Sequence, residues 1–321
     1  MSPITGFELP FFQKLADSRR VLIAGAGGGF DVFSGLPLYF LLRESGRDVY
    51  LANLSFSSLI PSVGRWVTPV CVEVTADSEA YLNYFPEKML CRWFRTQGEE
   101  VSIYATHRTG VQPLRDAYRK LVEELNLDTI VLVDGGTDSL MRGDEAGLGT
   151  PSEDMASVAA LHQVDVPRKF LVCLGFGVDW YHGICHSQVL EAVADLTREG
   201  SFLGAVSLLK SMPAVTRYVD ACTAVRSAMS ADHASIVCSS ILSALEGHFG
   251  AYHSTRLTGG NTLWINPLMT FYWCFDLSAV AKRVFYLQEL MNTETYEHVT
   301  RVIESFRTTL QGHKTWQEIP I

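Results

Sequence analysis

Positive charge is in short supply in this sequence. Against 35 aspartates and glutamates stand 26 lysines and arginines, a formal charge of −9. That balance argues against a surface built to neutralise nucleic-acid phosphates or to lie on an anionic membrane. Paired cysteines are also missing. The seven cysteines (Cys71, Cys91, Cys173, Cys185, Cys222, Cys238 and Cys274) are dispersed and never form CxxC. Most sit in apolar runs, where a free thiol packs as a small hydrophobe, so a disulfide framework is excluded and a reducing, cytoplasmic setting is expected. No uncharged apolar stretch reaches the roughly 18 residues of a membrane span. The opening MSPITGFELPFF has no basic segment followed by an apolar one, as a signal peptide would. GxSxG, Walker and HExxH patterns are absent, which removes the usual hydrolase, NTPase and zinc-protease readings.

What is present is an ordinary globular composition, 47% hydrophobic and 19% charged over 321 residues, long enough to bury a large core. Short apolar runs alternate with helical patterns: VLIAGAG (21–27), VYLANLS (49–55), VCVEV (70–74), VSIYAT (101–106), TIVLVDGG (129–136) and KFLVCLGFG (169–177). Strands apolar on both faces and separated by helices predict a doubly wound, mostly parallel Rossmann-like α/β sheet. The helices are expected at 32–46, 86–97, 111–126, 152–163 and 187–200. Beyond residue 200 the pattern changes to two helices broken near Ser230, strand-like HSTRLT, TLWIN and TFYWCF, and helices near 277–291 and 294–310. The expected organisation is a core over 1–200 and a helical and short-strand elaboration over 201–321, packed on the same domain.

Three loops carry chemistry. The first is IAGAGGGFDVFSG (23–35). Gly25 and Gly27 match the first two glycines of a dinucleotide-binding turn, but Phe30 replaces the third, and the second strand ends in Asn53 where a ribose-binding acid belongs. Asp31 falls at a helix start, where free N–H groups favour an anion. It either caps that helix or accepts hydrogen bonds from a ligand hydroxyl or amine; pyrophosphate bound as in NAD enzymes is disfavoured.

The second is VDGGTDSLMRGDEAGLGTPSED (133–154), with five glycines and six acids: Asp134, Asp138, Asp144, Glu145, Glu153 and Asp154. Following a strand, it lies at the carboxyl edge of the sheet, where open α/β proteins bind ligands. Three readings stand. The acids hold sugar hydroxyls, one of them serving as acid, base or nucleophile at an anomeric carbon; they ligate Mg²⁺ or Ca²⁺; or Thr150 or Ser152 simply caps a helix with Pro151 and acids in its first turn. GLGTPSED also resembles the GxGT-then-Glu turn of nucleotide-releasing phosphoribohydrolases related to lysine decarboxylases. That resemblance implies a phosphate-holding loop with an acid near the glycosidic bond, matched by Thr150 and Glu153.

The third is GFGVDWYHGICHSQVLEAV, again after a strand, bringing Asp179, His182 and His186 close together. It reads as a zinc site, a polar wall of a ligand pocket, or helix capping. Farther on, Arg256, Gly259, Gly260, Asn261 and Trp264 form a set suited either to a purine or sugar ring or to a core.

Together the strand into GAGGGFDV, the VDGGTDSL…GDE…LGTPSED loop and the LGFGVD turn resemble a prokaryotic protein family defined by the DUF1152 domain. The resemblance implies a Rossmann-like fold and an intracellular protein, and carries no reaction with it. DWYHG departs from the small acidic turn expected there.

The three loops are therefore expected to form one polar pocket for a nucleoside-, nucleotide- or sugar-type small molecule, in a hydrolase or transferase. Asp138 and Glu153, with Asp144 and His182 beside them, are the candidate catalytic groups. Gly25, Gly27, Gly28, Gly29, Asp31, Gly135, Gly136, Thr137, Thr150, Asp179 and Asn261 are expected to seat the ligand. A divalent cation is the candidate cofactor. A metal-dependent transferase and a non-catalytic nucleotide sensor are the alternatives, and a homo-oligomer fits any of them.

Overall fold

A computed structural model describes residues 8–79, 84–230, 233–255 and 263–319. Nine strands form one sheet: β1 (Arg20–Gly25), β2 (Asp48–Leu54), β3 (Arg65–Thr68), β4 (Cys71–Val74), β5 (Ile103–Thr106), β6 (Thr129–Asp134), β7 (Arg168–Leu174), β8 (Phe202–Ser207) and β9 (Phe271–Asp276). Their order across the sheet is β3-β4-β5-β2-β1-β6-β7-β9-β8. The five central strands, β5 to β7 in that order, are parallel to one another. Antiparallel pairs close both sides, β3 and β4 at one edge and β9 and β8 at the other.

The alternation of side chains explains how both faces are buried. Val21, Ile23, Val131 and Val133 point to one side, with the helices Leu36–Glu44, Pro86–Thr96 and Pro213–Ala228. Leu22, Ala24, Ile130 and Leu132 point to the other, with the helices Val111–Leu125, Pro151–His162, His186–Arg198, Leu277–Arg283 and Tyr296–Thr309. Because successive residues of a strand face opposite ways, an apolar run such as TIVLVD supplies two cores at once. Among the described residues, no helix is long and apolar enough to cross a membrane.

Some expectations need correction. The 70–74 run forms β4, but pairs antiparallel with β5 at an edge. The helix expected at 32–46 is divided at Gly35 into Asp31–Ser34 and Leu36–Glu44. That break brings the chain close to the sheet: a Cβ on Gly35 would lie 2.4 Å from Ile23. Over its described residues 263–266, TLWIN yields one bridge, Ile265 to Gly250, in place of a strand. HSTRLT forms no strand over its described residues 253–255.

The order of connections positions the site. From β1 the chain moves to β2 and β5 on one side, then returns to β6 and β7 on the other. The carboxyl ends of β1 and β6, paired in register at Gly25 and Val133, therefore release their loops in opposite directions, leaving the crevice between them where open α/β sheets take ligands.

Candidate functional site

The loops after β1, β6 and β7 meet over that crevice and line a cavity of about 430 Å³. Asp31, Asp134, Asp138, Glu153, Asp154 and Asp179 all contribute to its wall. Among the described residues lining it, His182 is the basic side chain. Phe56, Val237 and Tyr296 supply apolar or aromatic surface.

Each acid but one is held by a donor from its own surroundings. The Gly27 N–H donates to Asp31 Oδ2 at 2.6 Å, so the carboxylate occupies donor space that a phosphate would need. Asp134 Oδ2 accepts the Ser139 N–H at 3.2 Å and the Ser139 hydroxyl. Asp138 Oδ2 accepts from the Thr150 N–H at 2.8 Å and its hydroxyl at 3.1 Å. Asp179 Oδ2 accepts the Thr137 N–H at 2.6 Å. Tyr296 donates its hydroxyl to Glu153 Oε1 at 2.9 Å, and the Arg108 guanidinium lies 3.9 Å from the same oxygen. The exception is Asp154, whose Oδ1 is buried without a hydrogen-bond partner.

Crowding these acids into one buried space makes ionisation difficult. Burial, then the Asp138 charge, pushes Asp134 up to about 7. Asp31 is raised by burial and then by Asp134, while Asp154 and Asp179 are raised by burial and then by Asp138. Burial also raises Asp138 and Glu153, against the bonds from Thr150 and Tyr296. Such a wall favours protonated carboxyls or an added positive charge.

Glycines keep this space open. A Cβ on Gly27 would stand 2.8 Å from both carboxylate oxygens of Asp154 and 3.0 Å from Asp31 Oδ2. Gly149 combines φ +67° with an approach of 2.3 Å from its would-be Cβ to Asp138 Oδ2, so only glycine suits that position.

The sequence pattern of the family described as a protein of unknown function (DUF1152) matches residues 65–309. The chain belongs to the DUF1152 family. The match contains the loops after β6 and β7, with Asp134, Asp138, Glu153, Asp154 and Asp179, while the glycine loop and Asp31 lie before it. No curated protein matches the chain.

The DUF1152 chain distributes the residues singled out from sequence unevenly. Gly27, Gly28, Asp31, Gly135, Asp138, Thr150, Glu153, Asp179 and His182 line the acidic cavity. Gly136 and Thr137 back it, packed against or bonded to Asp179. Gly25 lies behind it beneath Asn53, and Gly29 faces Tyr84 and Phe56. Asn53 itself ties the Gly29 carbonyl (2.9 Å) to Glu87 (2.8 Å). Asn261, with Arg256, Gly259 and Gly260, falls outside the described residues.

Several assignments change. Asp144 is not on the cavity wall; it pairs with Arg142 at 2.9 Å and Lys314 at 3.7 Å, which hold its carboxyl low although burial opposes them. Asp31 does not cap the helix it begins, because its carboxylate closes the Gly27 turn behind it. Thr150 stands at the N-cap of Pro151–His162 without capping it, its hydroxyl being given to Asp138. His182 and His186 do not share a helix face. His182 ends a short 3-10 turn, its Nδ1 4.0 Å from Asp179 Oδ1, whereas His186 lines a separate, aromatic cavity of about 470 Å³ with Phe176, Trp180 and Trp264.

Sequence reading missed Tyr296, Arg108, Phe56 and Val237. Each is brought in by tertiary structure from a segment with no local motif. It noted Asp134 and Asp154 among the loop acids without assigning them to the site; the signals were the acid that ends the β6 run before Gly135–Gly136 and the PSED run at a helix start.

Proposed function

We propose that this protein is an enzyme acting on a small hydroxyl- or amine-bearing molecule of the nucleoside, nucleotide or sugar class, cleaving or transferring at a glycosidic carbon. The observation that carries this reading is the acid-walled cavity: six carboxylates and one histidine surround about 430 Å³. Glycosidic cleavage passes through an oxocarbenium-like transition state, so positive charge grows at the anomeric carbon. A fixed wall of carboxylates stabilises that charge more than it stabilises the neutral substrate, which is the condition for catalysis. The same carboxylates bind vicinal hydroxyls as acceptors.

Asp138 and Glu153 are the candidate acid and base. Both line the cavity, both are oriented by hydroxyl donors, and burial raises both carboxyls toward the range where proton transfer near neutral pH is efficient. The strand order agrees with this use of the crevice. The five parallel strands follow the 3-2-1-4-5 order of Rossmann-like nucleotide-binding sheets, with the cavity at the switch point between β1 and β6. Asp31 in the glycine loop turns that site away from a bare pyrophosphate and toward neutral or cationic groups.

The test is a turnover assay of the purified protein on a panel of nucleosides, nucleotides and sugar phosphates, repeated with Asp138→Asn and Glu153→Gln. At least one variant should lose on the order of 100-fold or more in kcat. Normal turnover by both removes the mechanism, and saturable binding with no turnover of any panel member makes the protein a sensor.

A further inference from the structure

We propose that Asp31, Asp134 and Asp154 form a binding site for one hard divalent cation of the Mg²⁺, Mn²⁺ or Ca²⁺ type at the floor of the acidic cavity. Each offers one carboxylate oxygen, and these oxygens lie within 4.8 Å of one another. Oxygens on opposite sides of a cation held at about 2.0 to 2.6 Å are roughly 4 to 5 Å apart, so the triangle has the size of a coordination shell. The donors are all oxygen, with neither thiolate nor imidazole in the triad, which selects a hard cation over zinc or copper.

The acidity of the cluster would not by itself make a site. The second observation is Asp154. Its side chain is 2% exposed, it lies on the cavity wall, and its Oδ1 has no hydrogen-bond partner. A buried carboxylate oxygen left unpaired is costly, so such atoms are ordinarily satisfied by a donor or a bound ion. The nearest acidic groups repel it, and among the described lining residues no lysine or arginine answers it.

The backbone preserves room at the same point. Gly27 places no side chain between Asp154 and Asp31; a methyl there would stand within 3.0 Å of three carboxylate oxygens. On the other side, a Cβ on Gly135 would lie 2.7 Å from Asp31 Oδ1 and 3.1 Å from Ser34 Oγ, a second buried atom without a partner. Donors already fix one oxygen each of Asp31 and Asp134, through Gly27 and Ser139. Fixing the ligand carboxylates in this way orients a metal site before the ion arrives. The three residues come from three segments, the start of the short helix Asp31–Ser34 after β1, the end of β6 and the start of helix Pro151–His162, so the cation also ties these elements together.

The cation site stands on geometry and does not depend on the glycosidic chemistry. The experiment therefore reads binding rather than turnover. Mn²⁺ is titrated into chelator-treated protein, with free Mn²⁺ measured by electron paramagnetic resonance, for the wild type, Asp154→Asn and Asp144→Asn, the last lying off the cavity wall. The expected result is one Mn²⁺ per wild-type chain, displaced by Mg²⁺ or Ca²⁺, with affinity reduced at least tenfold in Asp154→Asn and retained within a few-fold in Asp144→Asn. Circular dichroism establishes that each variant is folded. Absence of bound Mn²⁺ at millimolar concentration in the folded wild type overturns the proposal, as does unchanged affinity in folded Asp154→Asn.

Discussion

At the scale of single residues, the cavity concentrates carboxyls that resist ionisation. Asp138 and Asp179 are both raised by burial, and Asp138 further raises Asp179. In the unfolded chain they titrate near 4. Between that value and their folded values, the native protein keeps protons that the unfolded chain has released. Stability is therefore fully present at the acid end of this window and falls as pH rises through it, by up to about 1.4 kcal/mol per pH unit for each such group. With chelator present, the urea midpoint of the wild type should decline as pH rises above the unfolded value of about 4. Asp179→Asn keeps an oxygen that can accept the Thr137 N–H and removes one of these groups, so its decline should be shallower. An equal slope in the two proteins would show that Asp179 ionises freely in the fold.

At the scale of elements, the helix Pro151–His162 joins the site to the core. Its first turn presents Glu153 and Asp154 to the cavity, and one turn later Ser157 donates its hydroxyl to the Ala26 carbonyl at 2.8 Å, fully buried. That bond sets the distance between the helix and the glycine loop. Ser157→Ala leaves a buried carbonyl short of a donor and should lower stability by about 1 to 3 kcal/mol in chemical denaturation; a loss near zero would place the restraint in the surrounding apolar packing. The same helix shows what the sequence could reveal. Its span was legible from Pro151 and the acids at its start, as the central strands were legible from apolar runs that serve two faces. Of the flanking strands, β4 and β9 were legible as VCVEV and TFYWCF, whereas β3 and β8 were not. In β8, FLGAVS, Gly204 at φ +107° sits in a register shift and only one residue is buried, so neither alternation nor β-branching marks it. Within the site, the density of glycine and acid in the loops was visible. The direction of each side chain was not: Asp31 and Thr150 have the residue types of helix caps, yet Asp31 accepts from Gly27 behind it and Thr150 donates to Asp138 in the same loop. Tyr296 reaches Glu153 across 143 positions of sequence, a proximity set by packing of two distant helices.

At the scale of the whole molecule, residues beyond 200 complete the sheet as well as covering it. β9 enters antiparallel against β7, pairing Phe170 to Leu174 with Asp276 to Tyr272, and β8 then pairs with β9. Without them, β7 would present an unpaired backbone edge carrying Phe170, Leu171, Val172 and Leu174, all buried in the intact chain, and such an edge invites association. The loss would also strip the face of helix Pro151–His162 that lies beneath Leu277–Arg283 and Tyr296–Thr309, and would remove the Tyr272 hydroxyl from the buried Ser34 carbonyl beside the site. A chain ending at residue 200 should therefore elute as aggregate in size-exclusion chromatography and lack a cooperative urea transition, even though it retains the glycine loop, the acidic loop and all five parallel strands. A monomeric, cooperatively unfolding 1–200 fragment would instead mean that the parallel core is self-sufficient and that the later strands only shield it. Mn²⁺ binding by such a fragment would then separate the cation triad, which lies wholly before residue 200, from the Tyr296 contact that orients Glu153.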